Sequence, residues 1–144
     1  MKKILKWTLA TGNYPALVST ALLFLRIIVA AMMLTHGYGK LQLLTSEGPV
    51  QFADPIGIGA SASLILAVLA EFLCSILLIF GLTTRYAVIP LLTTMLVAFF
   101  VVHASDPFMR KELPLLYAAV FLFIGLLGPG SFSLDKWVVK KFFK

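Results

Sequence analysis

Four apolar stretches divide the chain, each bounded by its strongest breakers. The first runs from about Ala16 to Tyr38 and is interrupted only by Arg26; the second, about Ala60 to Leu82, only by Glu71. The third, Tyr86 to His103, carries no Asp, Glu, Lys or Arg, and the fourth, about Leu113 to Gly128, runs into Gly128-Pro129-Gly130. None shows the period-two alternation of a transmembrane strand. A helix needs about 20 residues to cross a hydrocarbon core of ~30 Å. Three stretches meet that length, and the fourth does so with Pro114 in the first turn, where proline is tolerated. Pro90, one turn into the third stretch, is tolerated for the same reason. The pattern predicts an all-α fold: an integral membrane four-transmembrane-helix bundle, one domain over residues 1–144, with spans at about 16–38, 60–82, 86–103 and 113–128.

Composition narrows the class further. Of 144 residues, 60% are hydrophobic and 12% charged, with a mean hydropathy of +1.01. Soluble domains carry about 25% charged and about 45–50% apolar residues. A water-soluble enzyme and a disordered chain are therefore excluded. The net charge of +6 suggests nucleic acid, but there are too few charges for a basic groove, and no nucleic-acid partner is expected. The positive charges instead give an orientation. Lys2, Lys3, Lys6, Arg85, Lys136, Lys140, Lys141 and Lys144 fall on one side of a four-span bundle, against Lys40, Arg110 and Lys111 on the other. By the positive-inside rule both termini are cytoplasmic, in the cell (inner) membrane. Trp7, Tyr14, Tyr86 and Trp137 lie near the same ends. The amino terminus has only Ile4-Leu5 before Lys6 and no A-x-A pattern, so it reads as retained, not as a signal peptide. From Ser133, a predicted N-cap, the tail places Leu134, Trp137, Val138 and Phe142 on one face and Lys136, Lys140 and Lys144 on another. Such basic amphipathic interfacial ends bind anionic lipids at the bilayer surface.

Charges inside spans are costly and usually paired. Arg26 and Glu71 each lie ~15 Å into consecutive antiparallel helices, which predicts an ion pair near the midplane. Its bland role is to fix helix register; its functional role is to line a polar cavity. Ala67 and Ser75, one turn either side of Glu71, make that face small, as membrane helix interfaces are. At ~100° per residue, Gly37 and Lys40 fall within about 40° of Arg26, and His36 about 80° round. A funnel is thus predicted from Lys40, His36 and His103 down to Arg26 and Glu71, with Gly37 clearing space. Tyr117, Thr93 and Thr94 are further polar handles, each more often an interhelical hydrogen bond than a ligand contact. Cys74 stands alone in the sequence and reads as a small buried hydrophobe. His36 and His103, with Asp106 or Glu112, show no HxxxH or ExxH spacing, so no metal ligands are assigned. No covalent cofactor motif is present either, and axial haem ligation by the two histidines is the weaker alternative.

Leu25-Arg26 with Gly37-x-x-Lys40, Glu71 followed by Gly81-x-x-Thr84-Arg85, then His103, and Gly128-Pro129-Gly130 with Ser133-Leu134-Asp135 form a combination. It resembles the DoxX family of small four-helix membrane proteins, over about Leu25 to Asp135. That resemblance implies a redox-associated membrane subunit, since related members include the membrane subunit of archaeal thiosulfate:quinone oxidoreductase and components of thiol and oxidative-stress complexes. The motif residues carried over are Arg26, Gly37, Lys40, Glu71, Gly81, Thr84, Arg85 and His103. Gly81 with Thr84-Arg85 fits a tight cytoplasmic hairpin that serves structure.

A quinone headgroup needs donors to its carbonyl oxygens and a proton route in an apolar pocket. Arg26, Lys40 and His36 supply donors, Tyr117 a further contact, and Glu71 and His103 proton exchange. With no cluster or flavin motif in the chain, a partner protein has to supply the redox centre. Two alternatives compete. One is a non-catalytic assembly subunit in which Arg26–Glu71 is purely structural. The other is a small-solute carrier, for which a bundle without an internal repeat would need a homo-oligomer.

Overall fold

The computed structural model describes Gly12 and residues 14–142. Lys2, Lys3, Lys6, Trp7 and Lys144, assigned above to the cytoplasmic side, lie outside the described residues. Helix α1, Ala16–Thr45, starts after Pro15 and is 30 residues long. At ~1.5 Å per residue it extends about 45 Å. The expected end near Tyr38 is not where it stops: Gly37, Gly39 and Lys40 are helical, and the helix runs on to Thr45.

Helix α2 spans Ala60–Phe80 and contains one π-helical turn, Leu69–Leu73. Asp54 organises its start. The Ile58 N–H and Ser63 hydroxyl donate to Oδ1 at 3.0 and 2.7 Å, and the Gly59 N–H donates to Oδ2 at 2.8 Å. Its other end closes on Gly81, at φ 65°. The Gly81 N–H donates to Leu78 O (3.1 Å) and the Leu82 N–H to Leu77 O (2.9 Å), the two-bond Schellman closure. Helix α3, Thr84–Val102, contains Pro90 and ends in a second π-helical turn, Ala98–Val102.

Helix α4, Phe108–Leu127, has 20 residues and begins five positions before the expected Leu113. Pro114 therefore lies in its second turn, beyond the first-turn position the sequence suggested. A short helix α5, Leu134–Phe142, follows, and the Lys136 N–H donates to Ser133 Oγ at 3.2 Å, as the predicted cap requires.

Among the described residues the fold is all-helical, with five helices and no strand. Three of them, α1 to α3, are long and apolar enough to cross a membrane. Helix α4 has the length, but Arg110, Lys111 and Glu112 occupy its first turns, so the four-span expectation rests on composition that only three helices meet. Helices α1 and α2 pack antiparallel, α3 packs on α2, and α4 lies along α3. Their shared core contains Ala30, Met33, Leu78, Leu91, Phe121 and Ile124, all at most 1% exposed. The outward surface is equally apolar: Phe24, Ile28, Ile89, Phe100, Leu116 and Phe123 are each more than half exposed. Water does not tolerate so much contiguous apolar surface; a bilayer does.

Candidate functional site

Arg26 is 1% exposed, yet it does not meet Glu71. Its Nη1 donates to Pro129 O at 2.5 Å, and its Nη2 donates to Phe132 O at 2.9 Å and, at 3.5 Å, to Ile79 O. The guanidinium thus binds the loop between α4 and α5 to the end of α2. Gly81 makes room for it, since a Cβ there would stand 2.8 Å from Arg26 Cζ and 2.7 Å from Ser133 Cβ. Asp135, fully buried, completes this end: it accepts the N–H groups of Thr83 (2.7 Å) and Thr84 (3.0 Å) at the start of α3. Thr83 has φ 47°, a left-handed conformation held by that contact. Arg85 Nη2 donates to Leu126 O at 3.3 Å.

Glu71 pairs instead with Lys40, Nζ to Oε2 at 2.5 Å, with the carboxylate side chain 3% exposed and the lysine 26%. Two local features bring them together. The π-helical turn around Glu71 widens α2, and such turns frequently accompany functional sites. Opposite it, Gly37 lies so close that an added Cβ would approach the Glu71 carbonyl carbon and the Phe72 nitrogen to 2.6 Å. With Gly37 abutting Glu71 in an antiparallel pair, Arg26 is 11 residues, or ~16 Å, further along α1. The expected Arg26–Glu71 pair fails for that reason: the register matches Arg26 with Ile79 and Gly81.

A second polar pair stands beside the first. His103, directly after the π-helical end of α3, contacts Asp106 Oδ2 through Nδ1 at 2.8 Å, and Arg110 lies 3.8 Å from the same oxygen. The His103 hydrogen bond, with the positive charges of Arg110 and Lys111, holds the Asp106 carboxyl below the usual carboxylate range. An ionised Asp106 can only accept, so Nδ1 is the donor in this hydrogen bond. His36 packs edge-on to Tyr117, at 6.2 Å between ring centroids, and Tyr117 stacks on Phe121.

Two cavities adjoin here. One, about 240 Å³, is lined by His36, Lys40, Glu71, His103, Arg110 and Tyr117 with Met33 and Met95. The other, about 320 Å³, extends between α2 and α3, and shares Lys40, Glu71, Ala98 and His103 with the first. The structure therefore brings together His36, Lys40, Glu71, His103 and Tyr117 of the expected ligand set. It leaves out Arg26, which lines neither cavity. Thr84 and Gly81 belong to the Arg26–Asp135 end. Thr93 and Thr94 donate back to Ile89 O and Pro90 O on their own helix, both at 2.9 Å. Cys74 is half-buried beside the core. Among the described residues, no three His, Cys, Asp or Glu side chains gather to hold a metal ion. Sequence reasoning missed Arg110 as a wall of the site and Asp135 as the cap of α3; the Ser133-Leu134-Asp135 string was the signal for the latter.

The family model described as DoxX matches residues 21–104, a range that includes Arg26, Gly37, Lys40, Glu71, Gly81 and His103. An uncharacterized protein of Haemophilus influenzae is 37% identical over 130 residues, covering 85% of this chain and 91% of that protein. A Bacillus subtilis protein named "Putative oxidoreductase CatD" is 30% identical over 119 residues, covering 82% of this chain and 87% of its own length. No solved structure matches the chain.

Proposed function

The chain belongs to the DoxX family of multi-pass membrane proteins, and from that premise we propose that it is the membrane subunit of a quinone-linked oxidoreductase. In this reading four helices, α1 to α4, cross the inner membrane, with both termini cytoplasmic. Helix α5 lies on the anionic leaflet, with Lys136, Lys140 and Lys141 toward the headgroups. The Lys40–Glu71–His103 cavity then opens near the outer end of the bundle. The relative named as an oxidoreductase supports the redox reading.

The observation that carries the proposal is that the Lys40–Glu71 pair and His103, itself bonded to Asp106, line both adjoining cavities. The donor set suits a quinone ring. Lys40 offers a charged N–H to one carbonyl oxygen, and the Tyr117 hydroxyl, without a protein partner among the described residues, offers a second donor. Met33 and Met95 supply polarisable apolar wall. Conversion of quinone to quinol takes two electrons and two protons. The electrons come from a redox centre on a partner subunit, and Glu71 and His103 relay the protons.

Labelling the nanodisc-embedded protein with a photoreactive benzoquinone tests this. Saturable labelling is expected on peptides containing Lys40, Glu71 or Tyr117, and should fall sharply in Lys40→Met. In native membranes, Glu71→Gln is expected to slow quinol formation. Non-saturable labelling, together with unchanged quinone reduction by Glu71→Gln membranes, would refute the proposal.

A further inference from the structure

The second cavity has no catalytic partner in the scheme above, yet it opens directly onto Lys40, Glu71 and His103. Its far walls are Leu66 and Ala67 of α2, Thr93 and Thr94 of α3, and Phe52 and Ile56 of the loop before α2. These walls are chemically dry. The two threonine hydroxyls donate to carbonyls of their own helix, which occupies their donors within α3. Ser63, also in the wall, donates to Asp54 at 2.7 Å, which likewise occupies its hydroxyl proton. The cavity is therefore polarised along its length, charged where it meets the first cavity and mainly apolar elsewhere, with the hydroxyl protons in its wall already engaged.

It is also open sideways. Leu66 is 51% exposed and Ile56 53%, and Thr93 is exposed on the adjoining helix face. Leu66 and Thr93 lie on helices whose outward surface is lipid-facing in the proposed bundle, and Ile56 lies on the loop at their outer end. Ligand pockets occupy about 300–1,000 Å³. The polar cavity, about 240 Å³, is below that range by itself, and the adjoining 320 Å³ brings the pair inside it.

We infer that the gap between α2 and α3 is a hydrocarbon subsite: the ligand is an amphiphile whose headgroup lies at Lys40–Glu71 and whose alkyl or isoprenoid tail leaves through this gap into the bilayer. The inference rests on the proposed headgroup site and adds the ligand's second half and its route. A water-soluble quinone or a free anion would leave the apolar gap without a role. A tailed ligand reaches the site laterally, without crossing the charged outer mouth at Arg110. Asp54 contributes indirectly, since its bonds to Ile58, Gly59 and Ser63 fix the loop that roofs the gap.

The test uses the full chain in nanodiscs and two photoreactive benzoquinones at equal membrane mole fraction. One has no tail; the other has a decyl tail ending in a diazirine. Tail adducts are expected on α2 near Leu66 and on α3 near Thr93. Thr93→Trp, which fills the gap from its rim, is expected to cut labelling by the decyl compound about tenfold, the equivalent of ~1.4 kcal/mol, with tail-free labelling unchanged. Phe123→Trp, on the exposed surface away from both cavities, should leave both probes unaffected, and a monodisperse Thr93→Trp protein shows that the variant folds. Tail adducts scattered over the whole lipid-facing surface, or a Thr93→Trp effect equal for both probes, overturn the inference. If tail-free labelling depends on Lys40 while Thr93→Trp changes nothing, the headgroup proposal survives and the tail subsite falls. If the decyl compound responds to Thr93→Trp but neither probe responds to Lys40→Met, the reverse holds.

Discussion

Gly37→Ala is the most direct probe of the contact that sets the register of α1 on α2. The added Cβ would meet three backbone atoms of the π-helical turn: Glu71 C and Phe72 N at 2.6 Å and Glu71 O at 2.7 Å. Ordinary contact begins at 3.4 Å, so the two helices must separate locally by ~0.8 Å. Backbone cannot swing aside as a side-chain end would. Overpacking of this kind costs about 1–3 kcal/mol. For a chain of this size that lowers the melting temperature by ~3–9 °C. Gly39, two residues on, is the internal control, because a Cβ there would meet nothing within 4 Å and the residue is exposed. There alanine removes a flexible residue from a helix, a change worth about 0.5–1 kcal/mol in the stabilising direction. The single thiol, Cys74, allows both variants to be followed with a thiol-reactive fluorophore during heating. A drop for Gly37→Ala with none for Gly39→Ala is expected. Equal melting of the two variants would refute the close approach of α1 to Glu71.

Lys40→Met strands a carboxylate that is nearly inaccessible to water, and should cost about 3–5 kcal/mol, whereas the double variant Lys40→Met/Glu71→Leu recovers most of that loss. Thermal melts of the two singles and the double decide it, and strictly additive losses would mean the pair is not coupled. Arg26→Gln removes charged donors from Pro129 O and Phe132 O, with an expected loss of about 1.5–3 kcal/mol per strong bond. It should also quicken tryptic cleavage at Lys136, Lys140 and Lys141 while leaving quinone labelling intact; reduced labelling in a folded variant would return Arg26 to the ligand site. Asp54 is held below the usual carboxylate range by its Ser63 hydrogen bond first, then by the Gly59 and Ile58 N–H groups. Because its folded value is depressed, its anchoring is complete above the unfolded value of 3.8 and is lost as pH falls through the lower folded one. Hydrogen exchange at Ile58 and Gly59, corrected for intrinsic rate, should therefore be steady above pH 3.8 and accelerate only as the pH falls below it, with Ser63→Ala shifting the onset upward. An onset that Ser63→Ala leaves in place would contradict this.

Hydrophobic periodicity shows where the helices are because a bilayer demands uninterrupted apolar length, and α1 to α3 satisfy it. Their ends are less legible, and the errors are informative. Reading Gly37-Tyr38-Gly39-Lys40 as a stop shortened α1 by seven residues relative to Thr45. In a soluble helix those glycines would weaken the turn; here Gly37 lets a neighbouring backbone approach. The shortened helix put Arg26 at mid-depth and made Glu71 its natural partner. The two π-helical turns have no sequence signature of comparable strength, yet Glu71 lies within one and His103 directly follows the other.

The pairing of buried charges in this chain is thus a consequence of register, and register is a consequence of one glycine. Residue type alone identifies Arg26, Lys40, Glu71 and Asp135 as groups that need partners, but not which partners. Once Gly37 abuts Glu71, Lys40 lies one turn beyond and reaches the carboxylate, while Arg26 lies three turns back, beside the carbonyls of the α4–α5 loop. The same register separates two tasks. At the Arg26–Asp135 end both charged groups bond to backbone, and Arg26 lines neither cavity. The Lys40–Glu71 end pairs side chain with side chain at a cavity wall, where an incoming oxygen can compete for the lysine. A charge bound to three carbonyls of two different segments serves assembly; a charge bound to one carboxylate beside open space remains available to a ligand. That difference in partners is why the proposed ligand site centres on Lys40 and not on Arg26, which is 1% exposed.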